Sequence, residues 1–221
     1  MKKALLIISV FIICKNTIGQ FNFRSSDMLS KKVDFVVDSV LQNKHHQRNS
    51  YVDSLFDMQK NFSFQFRYWK QSATTPSTTV FILTLQDKKW TAKCHLPNLN
   101  WQTDNKYFRE INVDETKLDQ LWELLVSNNI LTLPTQELLK NKLVKYAIDT
   151  TNLGSGQIQR LNVTDGTLYS FQLVNSDGTK TFSYGCPQFY LKHFGNVEEL
   201  YNVSTIILLL KKYLGLNDIE C

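Results

Sequence analysis

Proline and glycine are scarce in this chain: four and eight of 221 residues. No Pro/Gly-rich linker divides it, so one domain, or two small lobes packed together, is the expected range. No apolar run approaches the roughly 20 residues that span a bilayer as a helix. The longest late run, Ile206 to Leu210, ends at Lys211-Lys212 and reads as a buried helix face. Cysteine is limited to Cys14, Cys94, Cys186 and Cys221, with no C-x-x-C pair to hold zinc. Phosphate-cradling patterns are missing too: there is no G-x-x-x-x-G-K-[ST] and no G-x-G-x-x-G.

What is present begins at the N-terminus. Met1-Lys2-Lys3 is a short basic start, Ala4 to Ile13 is apolar apart from Ser9, and Thr17-Ile18-Gly19 offers a small-residue cleavage site before Gln20. That layout predicts a secretory signal peptide over residues 1–19, of bacterial type. Periplasmic or extracellular export follows. Lipid anchoring at Cys14 is the weaker reading, because Phe11, Ile12 and Ile13 stand where small residues are wanted.

Cleavage would change the composition. Losing Lys2, Lys3 and Lys15, and no acidic residue, takes 25 basic residues to 22 against 20 acidic, a net charge of +2 instead of +5. Signs are mixed along the rest, so a nucleic-acid partner, which needs a clustered basic stripe, is not expected. Three cysteines remain. In an oxidising compartment two of them pair. Cys186–Cys221 is favoured because it ties the chain's end to its body, with Cys94 as the competing partner.

The expected fold class is α+β. Residues 20–60 form an N-terminal helical segment: Met28, Val33, Val36, Val37, Val40 and Leu41 make a helical stripe over 27–41, and a turn of helix follows near 52–58. Residues 61–221 form the main domain, with 61–135 and 136–221 as candidate sub-lobes. Phe62, Phe64, Phe66 and Tyr68 alternate with Ser63, Gln65 and Arg67, the period of a half-buried strand. Strands over 79–86 and 90–95 complete an N-terminal group spanning 62–95. Asp114 caps an amphipathic helix 114–128 carrying Leu118, Leu121, Trp122, Leu125 and Val126 on one face. Residues 137–146 are expected as a short helix. A three-stranded meander over 157–184 is expected to turn at Asp165-Gly166 and Asp177-Gly178, where glycine accepts positive φ. Asn196 is expected to cap a last helix, 196–214, ended by Gly215.

Candidate chemistry is sparse. Gly154-Ser155-Gly156 lacks the nucleophile-elbow spacing. Cys186 with His193, oriented by Asp149, would make a cysteine hydrolase. Glu110, Asp114, Glu123 and Glu137 could supply a carboxylate pair. Each has a simpler structural role as a bridge, a surface charge or a cap. His45-His46 and Cys94-His95 are adjacent pairs, and Asp165 and Asp177 lack a calcium-loop pattern, so no metal and no cofactor is expected. Trp69, Trp90, Trp101, Tyr68 and Tyr107 are either core or a stacking surface for sugars or peptides. The sequons at Asn61, Asn162 and Asn202 read as chance matches in a bacterial chain.

No motif ties the chain to a characterised family. The expected role is a non-catalytic binding or envelope-accessory domain with a protein, peptide or glycan partner. The alternative is a secreted hydrolase using a cysteine or a carboxylate pair. A third reading is an inhibitor-like protein that lends its sheet edge to a partner.

Overall fold

The computed structural model describes residues 61–73, 78–97, 108–111, 113–148, 156–161, 163 and 166–215. The expectations placed on residues 1–60, including the signal peptide and the 27–41 helix, lie outside that set.

Two groups of strands far apart in sequence meet in one antiparallel sheet. The strands are β1 (Phe64–Ser72), β2 (Thr78–Gln86), β3 (Lys89–Pro97), β4 (Phe108–Ile111), β7 (Thr167–Asn175) and β8 (Gly178–Gly185). Their order is β4-β3-β2-β1-β7-β8. β5 (Val144–Ile148) and β6 (Gly156–Arg160) pair apart as a two-stranded sheet. The join is β1 against β7, with Phe66 opposite Leu173 and Tyr68 opposite Phe171.

Successive side chains on a strand point to opposite faces. On β1 this buries Phe64, Phe66 and Tyr68 on one face. Phe81, Leu83 and Leu85 of β2, Tyr169, Phe171 and Leu173 of β7, and Phe182 and Tyr184 of β8 extend the same layer. Against it pack α1 (Leu118–Ser127) and α3 (Glu198–Leu214). Leu121, Trp122 and Leu125 of α1 and Val203, Ile206, Ile207 and Leu210 of α3 are buried in that contact. Trp122 lies 4.9 Å from the Phe64 ring and 5.2 Å from that of Trp90. Trp90 and Tyr68 are thereby core residues, while Trp101 and Tyr107 lie outside the described set.

The helix ends follow from local chemistry. Asp114 accepts a hydrogen bond from the Thr116 amide at 3.1 Å and starts a 3-10 turn, Glu115–Lys117, that runs into α1. Asn129 leaves α1 with φ of 60°, a left-handed stop that asparagine tolerates. Glu198 and Glu199 in the first turn of α3 and Lys211 and Lys212 in the last match the helix dipole. Gly215 ends α3 at φ 62°.

Four expectations change. The meander over 157–184 is a hairpin, β7–β8, because β6 pairs with β5 instead of β7. The 137–146 helix is a short 3-10 turn, Gln136–Leu139, followed by β5. Val197, not Asn196, is the N-cap of α3; its carbonyl receives the Leu200 amide at 3.1 Å and no side chain caps the end. Gly178 opens β8 without positive φ, since Asn175 Oδ1 accepts from the Asp177 and Gly178 amides and closes the turn. A further helix, α2 (Pro187–His193), was not anticipated. It starts on Pro187, whose fixed φ suits the first helical position.

Candidate functional site

Where β7 begins and β8 ends, the chain forms a cleft of about 520 Å³. One wall is the segment 136–143, with Gln136, Glu137, Lys140 and Leu143. Gly166, Thr167, Leu168, Gly185 and Cys186 line the cleft as well, together with Leu161, Val163 and Tyr190. Specific bonds fix this lining. Gln136 Oε1 accepts the Gly185 amide at 2.7 Å, and the Tyr190 hydroxyl donates to the Leu161 carbonyl at 3.0 Å. Cys186 donates its amide to Thr167 O at 2.9 Å and receives the Thr167 amide on Sγ at 3.2 Å.

Cys186 is buried in the left-handed region, φ 42°, immediately before Pro187. A residue before proline is pushed away from right-handed helical angles, and here the pressure coincides with the turn from β8 into α2. Cys186 is disulfide-bonded. Cys221 lies outside the described residues, and Cys94 is a free, buried thiol. Burial pushes Cys94 up to about 12 from 9.0, so it stays a neutral thiol in the core.

The same cleft is flanked by ionised groups. Glu137 and Lys140 pair at 2.8 Å, both exposed. Lys142 reaches the Glu199 carboxylate. Burial works to raise the Glu199 carboxyl, but the Lys142 hydrogen bond, a hydrogen bond from its own backbone amide and the Lys142 charge together outweigh it and hold the group below its usual range. Tyr184 donates to the Pro134 carbonyl at 2.6 Å; burial, and then the Glu199 charge, push its phenol up.

The candidate catalytic residues do not assemble. His193 packs its ring on Phe189 at 4.6 Å, and the sulfur of Cys186 is committed to its bridge. Asp114 is exposed and paired with Lys117 at 2.9 Å. Asp149, Asp165 and His45-His46 lie outside the described residues. Cys94 and His95 are neighbours on β3, so their side chains leave opposite faces of the sheet and cannot share a metal. Among the described residues no group of three or more histidine, cysteine or carboxylate side chains is placed to hold an ion. Asn202 is 8% exposed within α3, closed to glycosylation.

The sheet's second face carries a row of side chains that sequence reasoning did not single out. Gln65 donates to Thr84 Oγ1 at 3.0 Å, Arg67 donates through Nε to Gln65 Oε1 and through Nη1 to Gln172 Oε1 at 2.8 Å, and Gln172 donates to Thr181 Oγ1 at 3.2 Å. The row crosses β2, β1, β7 and β8. The signal available in sequence was the polar half of the alternation on β1, whose partners on other strands are set by the pairing.

The end of the β8 edge is met by side chains from the segment that follows α1. Thr135 Oγ1 donates to the Ser183 carbonyl at 3.4 Å, and Gln136 takes the Gly185 amide. These two bonds cover the end of this edge, at Ser183 and Gly185, against a partner strand. No protein-family model matches the sequence, and no curated protein matches it. Among the described residues, no helix is long and apolar enough to cross a membrane.

Proposed function

We propose that the chain is exported, is cleaved after Gly19, and works as a non-catalytic binding or envelope-accessory domain whose ligand enters the cleft between segment 136–143 and the start of β7. The observation that carries this reading is the cleft's composition. Its walls are mainly apolar, with one exposed ion pair, Glu137–Lys140, at the side; among the described residues no free cysteine and no histidine lines it, and its carboxylate, Glu137, is paired with Lys140. A pocket with apolar walls and few polar groups is the usual form of a small-ligand or peptide site. A short apolar peptide fits best, its polar end held by Glu137 or Lys140. Cys221 is the proposed partner of Cys186, a bridge that would anchor the C-terminus beside the cleft and suits an oxidising compartment.

The test has two arms. Mass spectrometry of the protein from the envelope and soluble extracellular fractions is expected to find Gln20 as the first residue; retention of residues 1–19 would reject export by this route. An immobilised peptide array is expected to bind apolar peptides, and Lys140→Glu, at an exposed position, is expected to weaken that binding about tenfold, roughly 1.4 kcal/mol. Turnover of ester, amide or glycoside substrates that disappears in Glu137→Gln would replace this reading with the hydrolase.

A further inference from the structure

The described helices account for only one face of the six-stranded sheet. On the other face Val80 and Ile82 are 0% and 3% exposed, yet they stand outside the core cluster that α1 and α3 build. Gln65 and Ser170 are fully buried there too, and the Ser170 hydroxyl has no hydrogen-bond partner among the described residues. The sequence of β2 agrees: Val80 to Leu85 are all buried, a continuous run that suits a strand covered on both sides.

We propose that residues 27–41 of the same chain form a helix that lies across this second face. The predicted helical stripe of Met28, Val33, Val36, Val37, Val40 and Leu41 supplies the apolar side. Asp34 and Asp38, four residues apart, fall together along its border. The sheet offers the complement. Val80 and Ile82 are its apolar centre, and Arg67 stands beside them with its guanidinium oriented by Gln65 and Gln172. Lys93 is on the same face, opposite Ile82. A charged group already held in place by neighbours loses little entropy when a carboxylate docks on it.

The dimensions agree. A helix of 15 residues is about 22 Å long. Five strands from β3 to β8, spaced about 4.8 Å, measure about 19 Å across. The 22 residues 42–63 between Leu41 and Phe64 reach far enough to bring the helix to any part of that face. A helix tethered in cis has an effective concentration in the millimolar range, which favours it over a second copy of the chain.

The experiment places the photo-cross-linker p-benzoylphenylalanine at position 36, and separately at position 40, of the full chain. Irradiation is expected to give an intrachain link to peptides carrying Val80–Ile82, Arg67 or Ser170. Links to α1 or α3, links only between two chains, or no link from either position would overturn the proposal, the second of these in favour of a dimer. Charge exchange adds an independent readout. Arg67→Glu and Asp38→Arg are each expected to lower the urea midpoint, and the double variant to recover at least half of the summed loss. Strictly additive losses for this pair and for Arg67→Glu with Asp34→Arg would overturn the charge pairing. If Arg67→Glu fails to fold, Arg67→Gln with Asp38→Asn carries the same comparison.

Discussion

A Cβ atom built on Gly166 would stand 2.2 Å from the sulfur of Cys186. No side chain fits that gap, because carbon and sulfur need more than 3 Å between them. Gly166 is therefore required by the close approach of β7's start to the end of β8, and not by a positive φ.

Gly166→Ala should consequently force the Cys186 sulfur or the β7 backbone aside and cost about 1–3 kcal/mol, the range for overpacking a tight site. Urea unfolding of the two proteins measures it. An unchanged midpoint would show that the cleft wall can shift freely.

Asp87 and Lys88 form the two-residue β2–β3 turn with φ of 49° and 61°. Both central residues at positive φ make the primed turn that matches strand twist, though neither is glycine. Lys88→Gly relieves the strain of a left-handed lysine and should stabilise by about 0.5–1 kcal/mol after the entropy cost of glycine. Thermal unfolding with Lys88→Ala as the control checks this; glycine no better than alanine would contradict the turn geometry.

The hydroxyl of Tyr184 is buried and bound to the Pro134 carbonyl at 2.6 Å. Removing it in Tyr184→Phe leaves that carbonyl short of a donor and should cost about 1–2 kcal/mol. The loss should appear at neutral pH, where tyrosine is protonated in both folded and unfolded chains.

Alkaline pH should unfold the protein early. Cys94 is raised to about 12 from 9.0 by burial, and Tyr184 is raised as well. A group whose folded value is raised contributes stability that is fully present below its unfolded value and lost as pH climbs to the folded one. For Cys94 the window runs from 9.0 to about 12. Cys94→Ala should flatten the stability curve across that window, and native protein should resist iodoacetamide until it unfolds. Rapid alkylation of the folded chain at neutral pH would refute the burial.

Several elements were legible in sequence because their signals are local. The stripe of Leu118, Leu121, Trp122 and Leu125 needs only helical spacing, Asp114 needs only the amides beside it, and Gly215 needs only its missing side chain. The candidate site was not legible. Gln136, Glu137 and Lys140 meet Thr167 and Cys186 only because a loop about 50 residues upstream closes on the end of β8. Nothing in either stretch names the other.

The sequence by itself determined the α+β class, the inward set Phe64, Phe66 and Tyr68, and the main helix faces. The alternation of a strand fixes which side chains share a face. It does not say which strand lies alongside. Only the tertiary structure decided that β1 pairs with β7, that β6 pairs with β5, and that Gly166 meets Cys186. Period-two patterning is satisfied by any strand of suitable face, so the choice among partners a hundred residues away falls to how the whole apolar layer packs.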